Sequence, residues 1–220
     1  MYNILKNLSA ADYYKNANLH IHTSFSDGKL HPSEIIELAK QKNLKYISIT
    51  DHNTLEAYNH IDLDSHATAS PSLRMTGVDL EIITGVEFDC WYKSNFMHIL
   101  GYGIDLNNEE LNNLCAKNPN ETKLDIVRIF TPRKAPEIIK TIKEAGGIAV
   151  IAHPCCCWNL NIKKMITELK YFGLDGGEVY YPYIRHRAVV KFHTIKKVRA
   201  IAKELNLLIT GGTDCHGDDL

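Results

Sequence analysis

The 220-residue sequence lacks the features that would place it in a membrane or on nucleic acid. No apolar run approaches the ~20 residues of a membrane span, and residues 1–18 lack the apolar core of a signal peptide. The formal net charge is only -1, so no global basic field favours nucleic acid or an anionic membrane. We therefore expect a cytoplasmic protein with no membrane contact and no stable nucleic-acid complex.

Two common frameworks are also missing. The six cysteines lack the spread spacing of a disulfide framework, since Cys155, Cys156 and Cys157 are consecutive. We expect free thiols and assign no role to these three. No GxGxxG or P-loop motif is present, which argues against a nucleotide-binding loop.

What the sequence does contain is an alternation of short apolar runs with helical patterns. It predicts strands at 18–23, 46–50, 80–88, 96–102, 148–152, 177–180 and 207–210, and helices at 32–42, 53–60, 107–117, 135–145, 162–172 and 188–205. Residues 118–133 show no clear pattern. This order predicts an α/β protein with a closed or nearly closed barrel of parallel strands, and an open doubly wound sheet is the alternative. We expect one domain over 1–220.

Ionisable side chains stand at the ends of the predicted strands. His20 and His22 are two apart on the first strand, so both imidazoles lie on one face and can bind one metal ion. His98 interrupts a later apolar strand, and Asp27 lies in a turn after the first strand. Four separate apolar runs end in further groups of this kind: His52, Glu87, His153, and Asp214 with His216.

A cluster of so many ionisable side chains needs a compensating cation. The carboxyl ends of parallel barrel strands meet at one rim, so these side chains should lie close together. Burying that many ionisable groups without a counter-charge costs several kcal/mol each. Divalent metal ions remove that cost, so the sequence predicts a polynuclear metal site.

These motifs, in this order, resemble the PHP family, named for polymerase and histidinol phosphatase domains. The matching segments are LHIHT at 19–23, SDG at 26–28, ITDHNT at 49–54, GVE at 85–87, HILGY at 98–102, AHP at 152–154 and GTDCHG at 212–217. Within the family, the chain looks most like phosphoesterases that remove phosphate from nucleoside 3',5'-bisphosphates and trim short RNA ends. The resemblance implies a distorted, seven-stranded, TIM-like β/α barrel.

The resemblance also implies two to three divalent ions, Mn, Fe or Zn, in three ligand sets. The first set is His20, His22, Glu87 and Asp214; the second is Glu87, His98 and His153; the third is Asp27, His52 and His216. The expected nucleophile is a hydroxide held by the metals, with no side-chain nucleophile. Asp51 is expected to support the ligands without binding a metal itself.

The function implied by the resemblance is metal-dependent hydrolysis of a phosphomonoester, in a nucleotide or a similar small metabolite. The alternatives are an exonuclease or phosphodiesterase on short nucleic acids, a histidinol-phosphate phosphatase, an amidohydrolase-like enzyme and a non-catalytic metal-binding module. Candidate phosphate contacts are Arg128, Arg133, Arg185 and His186. Residues around 104–133 are expected to form a short excursion where relatives have a larger lid.

Overall fold

Seven strands follow one another across a single sheet in sequence order. The structure is a computed structural model that describes residues 1–63, 80–182, 191–217 and 220. The strands are β1 (Ala17–Ile21), β2 (Tyr46–Ile49), β3 (Glu81–Tyr92), β4 (Asn95–Tyr102), β5 (Ile148–Ile151), β6 (Gly176–Tyr180) and β7 (Leu208–Gly211). Every neighbouring pair is parallel except the two that involve β4, which runs antiparallel to β3 and β5.

The prediction of an all-parallel barrel is therefore wrong at β4. Only Lys93 and Ser94 separate β3 from β4, and so short a connection can join antiparallel strands but not parallel ones. Lys93 has a positive φ of 54°, as tight hairpin turns require. β3 also extends beyond the predicted 80–88, because the hairpin continues past the end of β2.

The two edges of the sheet meet. Ile21 at the end of β1 forms a parallel bridge with Cys215, which follows β7. The N–H of His22 donates to the Cys215 carbonyl at 2.9 Å, and the N–H of Cys215 donates to the His20 carbonyl at 3.3 Å. The sheet thus closes into a distorted β/α barrel, as predicted, and the open-sheet alternative is excluded.

Helices surround the barrel, and the longer ones bury one apolar face. In the described part of the chain the helices are α1 (Tyr2–Asn7), α2 (Ala10–Lys15), α3 (Pro32–Gln41), α4 (Glu109–Leu114), α5 (Asn120–Lys123), α6 (Asp125–Arg128), α7 (Ala135–Glu144), α8 (Ile162–Tyr171) and α9 (Ile195–Glu204). Short 3-10 turns occupy Glu56–His60 and Pro154–Cys156. α7 shows the pattern: Ile138, Ile139 and Ile142 are fully buried against β3, β4 and β5. No helix in the described ranges is both long and apolar enough to cross a membrane.

The predicted helices match the structure where the apolar periodicity is strong. The predicted start of α9 is wrong, because a capping residue sets it. α3, α7 and α8 match the predicted 32–42, 135–145 and 162–172 to within one residue. α9 begins later than the predicted 188, because Thr194 accepts a hydrogen bond from the Lys197 N–H and caps the helix there; residues 188–190 lie outside the described residues. The unpatterned stretch 118–133 contains α5 and α6.

Apolar side chains occupy most of the barrel interior below the ionisable groups. Ile83, Leu100 and Val150 belong to one buried cluster. Ile83 shares its strand face with Glu87, four residues on, and Leu100 shares its face with His98. Ser48 pairs with Ile83, and Thr210 pairs with Glu178, so two buried hydroxyl groups share this face. The interior below the rim is therefore mainly hydrocarbon, with few polar groups.

Closure of the barrel depends on Gly212. A Cβ at this position would lie 2.4 Å from the His20 Cβ and 2.5 Å from the His20 backbone nitrogen. Gly212→Ala should force the backbones apart and lower stability by about 1–3 kcal/mol, or roughly 2–12 °C in melting temperature. Thermal unfolding checks this, with Gly177→Ala as control, since its Cβ would meet only a methyl group at 3.5 Å. Equal losses in both variants would contradict the close-approach argument.

Candidate metal centre

The structure brings all of the predicted ligand residues to one rim of the barrel. His20 lies on β1, and His22 follows it directly. Glu87 lies within β3 rather than at its end. The neighbouring strand β2 ends before this level, and His52, which follows β2, forms an isolated β-bridge with Glu87. His98 comes from the first half of β4, which starts at this rim because it runs antiparallel. The others follow β1, β5 and β7: Asp27, His153, Asp214 and His216.

The first set is compact and almost fully buried. Nε2 of His20 and Nε2 of His22 lie 3.1 and 3.2 Å from Oε2 of Glu87. The same two nitrogens lie 3.4 and 2.9 Å from Oδ1 of Asp214. These four side chains therefore converge on one small volume, and could hold one metal ion.

Glu87 joins the first set to the second. Its other oxygen, Oε1, lies 3.1 Å from Nδ1 of His98 and 3.3 Å from Nε2 of His153. Those two nitrogens are 3.2 Å apart. One carboxylate thus presents one oxygen to each of two sets, which is the geometry of a bridging ligand.

The third set is looser and lies next to His22. Nε2 of His216 is 3.2 Å from Oδ1 of Asp27, and Nε2 of His52 is 3.7 Å from Oδ2 of Asp27. The His22 ring stacks between the rings of His52 and His216, with centroids 4.5 and 4.4 Å away. The first and third sets are therefore in direct contact through one imidazole.

The histidines and carboxylates compensate each other's charge. Burial would lower the pKa of His22, but the Asp214 and Glu87 carboxylates outweigh burial and raise its pKa to about 10. The pKa of His20 is raised in the same way, against burial, chiefly by Glu87. Burial would raise the pKa of Glu87 and Asp214, yet the nearby imidazoles hold both pKa values well below the usual range. The carboxylates thus favour protonated imidazoles, and a metal ion that binds here must displace those protons.

The donor set fits divalent cations. Metal–ligand bonds of about 2.0–2.1 Å put tetrahedral ligand atoms roughly 3.3 Å apart, and the distances within the first and second sets span 2.9–3.4 Å. Nε2 of His22 is also buried without an aligned hydrogen-bond partner among the described residues. Imidazole and carboxylate donors suit Mn, Fe and Zn.

Two carboxylates support the ligands from behind. Asp51 accepts hydrogen bonds from the Thr23 N–H at 2.6 Å and from the Ser26 hydroxyl, so it holds the turn that carries Asp27. Glu178 on β6 accepts from Nδ1 of His20 at 2.9 Å. Glu178 also accepts from the His153 N–H at 2.8 Å. It therefore orients His20 and anchors the loop of His153.

Asp89 also faces the cluster, although it was not among the residues predicted from the sequence. This residue is fully buried, and Oδ1 lies 3.3 Å from Nδ1 of His52 and 3.1 Å from Nε2 of His98. The signal was its spacing of two from Glu87, which places both side chains on one face of β3. The strand predicted from the sequence ended at 88 and therefore excluded Asp89.

Two of the predicted ligands have unusual backbone conformations. His153 has φ 26° and ψ 56°, and Asp214 has φ 51°. Non-glycine residues rarely adopt positive φ, and such residues concentrate at functional sites. Pro154 adds a further restriction on His153, because a proline limits the conformation of the residue before it.

Of the four candidate phosphate contacts, only one is seen to reach the metal-ligand cluster. Nη1 of Arg128 donates to Oδ2 of Asp27 at 2.7 Å, so this guanidinium reaches the third set. Arg133 instead donates from Nε to the Leu114 carbonyl at 2.6 Å and from Nη1 to the Thr131 hydroxyl at 2.9 Å, so the structure does not bring it to the cluster. Arg185 and His186 lie outside the described residues.

Two of the three consecutive cysteines, Cys156 and Cys157, are poor nucleophiles. None of the six cysteines forms a disulfide bond. Burial raises the pKa of Cys156 and of Cys157 to about 12. Because the thiolate is the reactive form, these two side chains are inert at neutral pH.

The comparisons with known proteins agree with this site. The model of the PHP domain family matches residues 18–156. A 5'-3' exoribonuclease of Haemophilus influenzae is 22% identical over 227 residues, covering 75% of this chain and 79% of that protein. A 3',5'-nucleoside bisphosphate phosphatase of Chromobacterium violaceum is 30% identical over 90 residues, covering 41% of this chain but only 28% of that protein.

A solved structure shares the fold. It is a Bifidobacterium adolescentis protein classed as a metal-dependent phosphoesterase, which superposes with a TM-score of 0.70 at 19% identity and covers 94% of this chain and 89% of its own. Barrel and site together define a metal-dependent hydrolase of phosphoric esters. The chain belongs to the PHP domain family.

Proposed function

We propose that this chain is a phosphomonoesterase that hydrolyses a small phosphorylated metabolite, with a nucleotide as the substrate class. The observation that carries the proposal is the convergence of three ligand sets on Glu87 and its neighbours. A binuclear or trinuclear centre of this kind suits displacement at phosphorus, because the attacking and leaving oxygens both need charge neutralisation.

The ligand sets would divide the work among two to three ions. His20, His22, Glu87 and Asp214 would hold the first; Glu87, His98 and His153 the second; Asp27, His52 and His216 the third. Bound divalent ions supply Lewis acidity toward phosphoryl oxygens and toward water. Glu178 keeps His20 oriented through its Nδ1, and Asp51 keeps the Asp27 turn in place. No side-chain nucleophile is required.

Arg128 is the candidate for the substrate phosphate. Its side chain is only 6% exposed, and it lies between Asp27 at 2.7 Å and Asp89 at 3.7 Å. Burial would lower the pKa of Arg128, but Asp89 and Asp27 raise it instead, so the group stays charged. A guanidinium beside the third set can bind a phosphoryl oxygen while its neighbours hold it in place.

Arg128→Ala should lower kcat/KM about 10- to 100-fold, because a hydrogen bond to a charged group is worth about 1.5–3 kcal/mol. Steady-state phosphate release measures this. Arg133→Ala is the matched control: it removes an equally buried guanidinium that does not reach the cluster. A larger loss in Arg133→Ala than in Arg128→Ala would reverse the assignment.

A 5'-3' exoribonuclease is the second candidate. The Haemophilus influenzae relative, aligned over most of its length, supports it. The formal net charge of -1 speaks for a small substrate instead, because chains that track nucleic acid carry basic surfaces.

A substrate panel separates these functions. Protein reconstituted with Mn, Fe or Zn would be assayed for phosphate release from nucleoside 3',5'-bisphosphates and histidinol phosphate, and for nucleotide release from 5'-phosphorylated oligoribonucleotides. We expect a nucleoside bisphosphate to have the highest kcat/KM. Stepwise release of nucleotides as the faster reaction would favour the exoribonuclease, and no hydrolysis with any of the metals would refute the proposal.

A further inference from the structure

Asp89 is a buried carboxylate that none of the three ligand sets uses. Its side chain is 0% exposed and faces the cluster from β3. Oδ1 lies 3.3 Å from Nδ1 of His52, which belongs to the third set. The same oxygen lies 3.1 Å from Nε2 of His98, which belongs to the second set. One oxygen atom is thus shared between the outer nitrogens of two ligands from different sets.

The carboxylate of Asp89 is fixed by Asn53. The Asn53 side-chain amide donates to Oδ2 of Asp89, and the Asp89 N–H donates to Oδ1 of Asn53 at 3.0 Å. The Asn53 backbone N–H donates to the Glu87 carbonyl at 2.8 Å, and its side chain also donates to the Glu121 carbonyl at 2.9 Å. Because Oδ2 and the backbone N–H of Asp89 are both held by Asn53, the position of Oδ1 is fixed. The orientation of the two imidazole rings is therefore set by Asp89.

We propose that Asp89 is a positioning residue that orients His52 and His98 together and so couples the second and third metal sets. The inference rests on the proposed metal-dependent function. His98 directs Nδ1 at Glu87, 3.1 Å from Oε1, which leaves Nε2 facing Oδ1 of Asp89 at 3.1 Å. A carboxylate that accepts from the outer nitrogen of a ligating imidazole fixes its tautomer and makes it a stronger ligand.

The ring angle is the quantity that Asp89 controls. Oδ1 of Asp89 and Nδ1 of His52 are within hydrogen-bond distance, yet both lack an aligned partner among the described residues. A rotation of the His52 ring about its Cβ–Cγ bond changes the direction of this N–H without moving the backbone. The buried oxygen therefore favours one ring orientation.

The competing interpretation is a further cation site, formed by His52, Asp89 and His98. It would require each imidazole to bind metal through both nitrogens. It would also place a dication beside Arg128, whose Nε already lies 3.7 Å from Oδ1 of Asp89. Both points favour a hydrogen-bond acceptor over a metal ligand.

The test is a Mn²⁺ titration by calorimetry, with Co²⁺ absorption as a second readout of ligand geometry. Asp89→Asn and Asp89→Ser would be compared with the native protein. Glu168→Gln is the control, because Glu168 binds Tyr92 and Lys93 of the same hairpin at 2.9 and 2.7 Å, away from the cluster. We expect two sites to weaken about 10- to 100-fold, one site to bind as before, and turnover to recover at higher Mn²⁺.

Several results would overturn the inference. Native affinities at every site in both Asp89 variants would show that Asp89 positions nothing. Loss of one ion with the others unchanged would assign it as a metal ligand. Equal weakening of all sites, with a lower melting temperature of the metal-free variants, would assign it a general structural role. A native protein that binds Mn²⁺ but hydrolyses no phosphoester would instead refute the proposed function and leave this inference standing.

Discussion

Replacing Glu87 by glutamine is expected to reduce phosphate release at least about 1000-fold, since removing one electrostatic contact from an active site already costs about 100- to 1000-fold. Glu87 contributes to two ligand sets at once, with Oε2 near His20 and His22 and Oε1 near His98 and His153. The glutamine amide keeps the shape but loses the charge, and it presents a donor to one of the sets. Metal content should fall together with turnover.

The control for this variant lies on the same strand. Glu81 begins β3 at the opposite end of the barrel and pairs with Tyr46 of β2. Glu81→Gln should leave activity and metal content unchanged. If Glu87→Gln kept its metals and lost less than tenfold in turnover, Glu87 would not be a bridging ligand.

Removing the metal ions is expected to abolish activity and to lower the melting temperature. The ions bind only where folding has brought the ligand sets together, so they stabilise the native state by mass action. One ion at a free concentration of 100 Kd contributes about 2.7 kcal/mol, which corresponds to roughly 5–11 °C for a chain of this size. Chelation followed by thermal unfolding, with and without added Mn²⁺, measures both effects.

The same measurement on the Glu87→Gln variant provides the comparison. Its melting temperature should respond much less to Mn²⁺ than that of the native protein, while Glu81→Gln should respond normally. Full activity of the native protein in chelator, or a melting temperature indifferent to Mn, Fe and Zn, would contradict a metal-dependent mechanism.

The sequence by itself determined which side chains to suspect and roughly where the elements lie. The spacing of two between His20 and His22 needs only local strand geometry to put both on one face. α3, α7 and α8 were predictable because a 3.6-residue apolar period decides the buried face of a helix within the segment itself. The family resemblance assigned the ligand sets, and the structure places their members side by side.

Tertiary structure alone decided how these groups are arranged. The antiparallel direction of β4 carries His98 to the rim from mid-strand. The role of Glu178 behind His20 and that of Asp89 between two imidazoles each depend on contacts across the barrel. Arg128 and Arg133 are five residues apart in an unpatterned segment, yet only Arg128 reaches the cluster. The periodicity of the sequence predicts which face of an element a residue occupies. Its partner on that face comes from a distant segment of the chain, and only closure of the barrel brings the two side chains together.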